Sequence, residues 1–214
     1  MNFDARLPET DAVLAAVRAY KPNRILNVGC GTGVMTEKVA DVCPLVATVA
    51  SIDRIEPARG HYSDKVQIVQ AHPYCLPFPQ ASFDALLCTQ LIEHLDNEDD
   101  RNAALKEMAR VIRPGGRLIM TVRHQNFRFD NFGWAKEGIS EGVFYHRYYL
   151  DEFRKQLAPC WHIECMWGVW TYLPKTYRIY TSLGRFVIYW ERALRTLPIS
   201  LRYGKVLLAV CSPT

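Results

Sequence analysis

The chain has 214 residues, enough to bury a full core, and its 49% hydrophobic and 22% charged composition is that of a globular protein rather than a disordered or fibrous one. A formal net charge of +4 is too small to argue for nucleic acid, and no apolar run approaches the roughly 20 residues that a membrane span requires. With no basic-then-apolar leader pattern at the N-terminus, the expected location is cytoplasmic. The seven cysteines (Cys30, Cys43, Cys75, Cys88, Cys160, Cys165, Cys211) are odd in number and scattered, without a C-x-x-C pair. They read as reduced core thiols rather than as staples or zinc ligands. No repeat or low-complexity segment interrupts the chain, so residues 1–214 are expected to form one continuous domain.

Residues 9–20 carry Val13, Leu14, Val17 and Tyr20 at helical spacing, and Pro22 stops them. Arg24 to Val28 then forms an apolar run that meets Gly29, Gly31 and Gly33, with a helical pattern (Thr36, Glu37, Val39, Ala40) starting directly behind. A strand, a glycine turn and a helix N-terminus in succession bring bare backbone N–H groups to one point, which suits a small anionic group. A dinucleotide fingerprint would need its third glycine at Val34, and no glycine-lysine pair marks a phosphate loop. The pattern that remains is G-x-G-x-G, followed by an apolar run from Val46 to Ile52 that ends on Asp53. A carboxylate at a strand tip accepts from both hydroxyls of a ribose. The ligand expected here therefore has a ribose and a modest anion such as a carboxylate.

Arg54 to Gly60 is too broken by Pro57 and Gly60 for a long helix, and on residue type alone Arg54 and Arg59 read as solvated surface. Val66 to Ala71 is a third strand, and Phe83 to Thr89 a buried fourth that carries Gln90, Glu93 and His94 past its end. Ligands sit outside the carboxyl ends of parallel strands, so Thr89, Gln90, Glu93 and His94 are expected near the reaction. Asp96 to Asp100 supplies an N-cap and an acidic first turn to a helix whose inner face holds Leu105, Met108 and Val111, and Leu118 to Val122 follows Pro114-Gly115-Gly116 as the fifth strand.

From Arg123 to Tyr149 the periodicity fails while aromatic residues accumulate, the pattern of a functional loop or lid over the site. Asp151 is expected to cap a short helix (Phe153, Leu157), with Cys160 to Trp170 as the sixth strand. Residues 171–204 interleave tyrosines and Trp190 with Lys175, Arg178, Arg185, Arg192 and Arg195, which reads as a helix packed on the domain with a solvated basic edge. Lys205 to Cys211 is the seventh strand.

Four of these stretches, ILNVGCGTG, the strand ending at Asp53, LPFPQASFDALLCTQLIEHL, and the run from Leu105 through ARVIRPGGRLIMTV, together resemble the class I S-adenosylmethionine-dependent methyltransferases. Within that family they are similar to the small single-domain group that includes quinone-biosynthesis enzymes, over about residues 10–125. The resemblance implies an α/β fold: a doubly wound, mostly parallel seven-stranded sheet of the Rossmann-like methyltransferase kind, its last strand antiparallel beside the sixth. Segments 123–149 and 171–204 would then be substrate-side insertions. It also implies S-adenosyl-L-methionine as cofactor, S-adenosyl-L-homocysteine as product, and Asn27, Gly29, Cys30, Gly31, Gly33, Asp53, Arg54, His72, Cys75, Leu76, Thr89 and Gln90 as the cofactor site.

Three positions depart from the family pattern. Asn27 replaces an acidic residue, so it holds the glycine loop without adding negative charge. His72 stands at the acidic position that takes the adenine amino group, and Pro73 behind it has no N–H, which leaves a neutral His72 ring nitrogen or the backbone of Cys75 and Leu76 for adenine. Gln90 stands where the small-RNA 2′-O-methyltransferases begin an E-x-x-E-H metal set, and an amide is a poor ligand for a hard cation, so no metal is expected. His94, His124, Tyr145 and His146 are the candidate proton acceptors. A small molecule is the expected acceptor, with RNA methylation, prompted by the aromatic-basic tail and the Arg147-Tyr148-Tyr149 run, and a non-catalytic cofactor-binding partner subunit as the alternatives. The choice between monomer and homodimer is left open.

Overall fold

The computed structural model describes residues 7–51, 63–171 and 187–214. Its strands are β1 (Ile25–Val28), β2 (Leu45–Val49), β3 (Val66–Gln70), β4 (Phe83–Thr89), β5 (Ile112–Arg123), β6 (Glu137–Ser140), β7 (Val143–His146), β8 (Trp161–Val169) and β9 (Val206–Pro213). Seven of them form one sheet in the order β3-β2-β1-β4-β5-β9-β8. β3, β2, β1, β4 and β5 run parallel, and β9 lies antiparallel between β5 and β8. The antiparallel last strand is as expected. The chain leaves β1 toward β2 on one side and returns to β4 on the other, and this reversal opens a crevice at the carboxyl ends of β1 and β4.

The strands are apolar on both faces because helices cover both. Ile25, Leu87, Ile119 and Leu208 face one layer, built on α1 (Leu7–Tyr20) and α2 (Val34–Ala40) through Val13, Val17 and Val39. Leu26, Leu86, Leu118 and Leu207 face the other, where α3 (Glu98–Val111) contributes Leu105 and Met108, and α5 (Leu150–Leu157) contributes Phe153 and Leu157. Each such side chain, fully buried, is worth roughly 1.5–3 kcal/mol of transfer free energy. Asn97 caps α3 by accepting from the Asp100 N–H at 2.7 Å, within the acidic stretch that the sequence offered for this purpose.

Several expectations need correcting. β2 ends at Val49, three residues before the apolar run does. α5 begins at Leu150, so Tyr149 is its N-cap, and Glu152 accepts the Tyr149 N–H at 3.2 Å while Asp151 sits in the first turn. Segment 123–149 is not a structureless loop. It holds α4 (Phe127–Asn131) and the β6–β7 hairpin, whose turn residues Glu141 and Gly142 both have positive φ (54° and 76°). That is the primed geometry tight hairpins prefer, reached with Glu-Gly instead of the readily recognised Asn-Gly.

Of the basic-aromatic tail, the described part forms α6 (Val187–Arg195) and α7 (Ile199–Tyr203). Arg192 and Arg195 both bind Asp11 of α1, Arg195 at 2.9 Å, so these two charges pin α6 to the domain. The remainder of the tail, including Lys175, Arg178 and Arg185, lies outside the described residues. Among the described residues no helix is long and apolar enough to cross a membrane.

Candidate active site

The crevice at the ends of β1 and β4 holds a cavity of about 460 Å³, within the span of roughly 300–1,000 Å³ usual for small-molecule sites. Its floor is the glycine loop. Cys30 donates its N–H to Thr48 O at 2.9 Å and Gly33 to Cys30 O at 3.0 Å, which closes the turn between β1 and α2. Gly29 (φ 73°) packs against Leu91, since a Cβ there would come within 2.7 Å of the leucine side chain. Gly31 (φ 54°) is different. A Cβ on it would meet no protein atom within 4 Å, so this backbone faces the open cavity.

Asn27 lies behind the loop, buried, and donates from Nδ2 to Thr36 Oγ1 at 2.8 Å, tying β1 to α2; it is not part of the cavity wall. Thr89 and Gln90 line the cavity from the end of β4. Gln90 has φ 49°, an uncommon conformation for a residue with a side chain, fixed by its N–H donating to Thr121 O at 2.9 Å. Val49 and Ala50 form the wall at the tip of β2. Asp53 and Arg54, a few residues further on, lie outside the described residues. His72, Cys75 and Leu76 do not line the cavity: His72 stacks on Tyr74, the Cys75 N–H is spent on His72 O, and the Leu76 N–H on Glu107 Oε1 at 2.9 Å.

The four candidate proton acceptors separate. His94 and Tyr145 face this cavity. His94 donates from Nδ1 to Phe144 O at 2.7 Å, so in the neutral ring the lone pair is on Nε2. His124 is buried between β5 and α7, donates from Nδ1 to Gly204 O at 2.8 Å, and has its pKa lowered by burial; it lines a second cavity. His146, one residue from Tyr145 on β7, points the opposite way, as strand alternation requires. It lies between Glu137 (3.2 Å) and Glu152 (2.8 Å), joining the hairpin to α5 away from either cavity wall.

Two carboxylates stand beside the site: Glu93, which the sequence placed near the reaction, and Glu9, which it did not single out. Glu9 of α1 is buried and lines both cavities, with Oε2 accepting from Gln90 Nε2 at 2.6 Å and Oε1 from Thr121 Oγ1 at 2.7 Å. The signal was available: Glu9, Val13 and Val17 are four apart, so Glu9 shares the inward face of its helix. Glu93 is fully buried, and burial pushes its carboxyl up to about 8, even though the Arg123 N–H (2.9 Å) and guanidinium (3.1 Å) favour the charged form. Arg123 itself ends β5 and, like Glu9, borders both cavities.

This cavity can hold a compact cationic ligand. A backbone cradle at Gly31 suits a carboxylate end, and the buried Glu9 suits a cation. Such a sheet and crevice define a Rossmann-like methyltransferase fold. A methyltransferase domain family model matches residues 26–120. The ubiquinone/menaquinone biosynthesis C-methyltransferase UbiE of Hahella chejuensis is 34% identical over 105 residues, 45% of this chain and 41% of the relative. The demethylmenaquinone methyltransferase of Deinococcus radiodurans is 28% identical over 171 residues, 77% and 64% of the two chains. The solved 1,6-didemethyltoxoflavin-N1-methyltransferase of Burkholderia thailandensis superposes with a TM-score of 0.66 at 16% identity, over 99% of this chain and 79% of that one. Over residues 26–120 the chain resembles a methyltransferase domain, and its fold is that of S-adenosylmethionine-dependent methyltransferases of known structure. It spans about half the length of the curated relatives it matches.

Proposed function

We propose that the protein transfers a methyl group from S-adenosylmethionine to a small-molecule acceptor. The observation that carries this reading is the Gly31 backbone facing an open cavity at the reversal of strand order, with buried Glu9 in the cavity's lining. The cofactor supplies an already activated methyl group. The protein's part is then to align an acceptor, exclude water and, where the acceptor's pKa is high, take its proton. The Gly31 backbone faces the space proposed for the carboxylate end, and Thr89 and Gln90 line the same cavity. The β6–β7 hairpin adds Ser140, Glu141, Val143 and Tyr145 to the lining. His94 and Tyr145 are the groups positioned to accept a proton. The quinone named for one relative is in keeping with a small molecule, as is a second cavity whose walls include Phe129, Trp134 and Trp170.

Calorimetric titration of the full chain with S-adenosylmethionine and S-adenosylhomocysteine tests the reading. Saturable binding of both, with each competing for the other, is expected. Absence of heat and of competition would make the chain a non-catalytic member of its family.

A further inference from the structure

The second cavity, about 390 Å³, adjoins the first where Glu9, Gln90 and Arg123 line both. Its charge is lopsided: Arg123, Arg147 and Lys205 stand against the single carboxylate of Glu9. Topology explains the clustering. Arg123 ends β5, and because β9 runs antiparallel beside it, Lys205 at the start of β9 arrives at the same edge, Arg123 pairing with Val206. Arg147, just past β7, is held in place: it donates to Ala135 O at 3.0 Å, and its guanidinium lies 5.1 Å from the rings of both Trp134 and Tyr145.

Among the described residues neither Arg147 nor Lys205 forms an ion pair with a carboxylate. Burial lowers the pKa of Lys205, and repulsion from Arg123 and Arg147 lowers it further. Arg147 is likewise lowered, first by burial. Arg147 is half-buried and Lys205 more exposed. Gathered cations that repel one another, one of them partly withdrawn from water, are costly unless an anion joins them. Three aromatic side chains share the lining: Phe129 and Trp134, stacked at 4.8 Å, and Trp170, just past β8.

We propose that the methyl acceptor is an acidic aromatic small molecule, its anionic group taken by Arg147 and Lys205 and its ring held against the Phe129–Trp134 wall. Arginine and lysine together recognise carboxylate and phosphate alike, so both are admitted by the chemistry. The word acceptor rests on the methyl-transfer reading; the anion site does not.

The test uses the full chain saturated with S-adenosylhomocysteine and titrated with benzoate, phenyl phosphate and the neutral isostere benzamide. The better anion should bind at least about tenfold more tightly than benzamide. The gap should collapse in R147M and K205M and survive in R147K and K205R, with homocysteine-cofactor affinity and melting temperature little changed. Whichever anion binds better identifies the group. Equal binding of benzamide, no saturable binding of either anion, or a gap that persists in the R147M/K205M double variant would overturn the proposal. Should the anions bind while S-adenosylhomocysteine does not, the anion site stands and the methyl-transfer reading falls.

Discussion

The two cavities are built from different materials. The first, the donor side under the methyl-transfer reading, is floored by a glycine loop, with Gly29 and Gly31 at positive φ, and walled by the tips of β2 and β4. The second, the acceptor side under the methyl-transfer reading, is made of side chains delivered by stretches far apart in the chain, from Glu9 of α1 to Lys205 before β9, and its character comes from three cations among aromatic rings. Backbone cradles recognise what every member of a family shares. Side-chain cavities set apart one member from another, so the two should respond differently to substitution.

The largest effect is expected at Gly31. Valine there would both adopt φ 54°, disfavoured for a branched side chain, and push its methyl groups into the donor-side cavity. Affinity for S-adenosylhomocysteine should fall at least about a hundredfold by calorimetry, while the anion preference of the second cavity persists. Unchanged affinity in a folded Gly31→Val protein would mean the cofactor lies elsewhere, and the contrast between the cavities would lose its meaning.

A smaller effect is expected at Glu9, the residue that belongs to both. Its carboxylate lines both cavities, so under the methyl-transfer reading it is placed to oppose the sulfonium charge that the product lacks. Glu9→Gln should weaken S-adenosylmethionine by about tenfold and S-adenosylhomocysteine by much less, as removal of one partly buried charge interaction implies. Equal weakening of both would place Glu9 against the amino acid end instead.

The same difference between backbone and side chain decides what could be read in advance. The order of the strands, the glycine turn and the helix α3 cap were legible because they rest on local patterns: apolar runs, G-x-G-x-G, and Asn97 three residues before Asp100. The hairpin escaped notice because four-residue strands show too little alternation and its Glu141-Gly142 turn carries a weak signal. His124 and His146 looked as reactive as His94 in sequence. Only the fold shows that one is engaged with Gly204 and the other with Glu137 and Glu152. Lys205 and Arg123 are 82 residues apart in the chain and meet through the late insertion of β9, which no local pattern announces.

The subtlest effect concerns Glu93, which controls how much positive charge Arg123 presents to both cavities. In the unfolded chain its carboxyl titrates near 4.5, and in the fold burial pushes it up to about 8. Between those values the folded state holds a proton that the unfolded state has released, so this group's contribution to stability is complete below about pH 4.5 and is lost as pH rises toward 8. One proton limits the slope to about 1.4 kcal/mol per pH unit. Buried His124 acts with the opposite sign, costing stability as pH falls through its ordinary 6.5, so the wild-type curve alone mixes the two. The difference between wild type and Glu93→Gln isolates the carboxyl, because glutamine keeps an oxygen for the Arg123 N–H but does not titrate. Urea unfolding from pH 5 to pH 8 should show the variant gaining on the wild type steadily. Parallel curves would mean that Glu93 is ionised in the fold and neutralises Arg123, leaving Arg147 and Lys205 alone to attract an acidic acceptor.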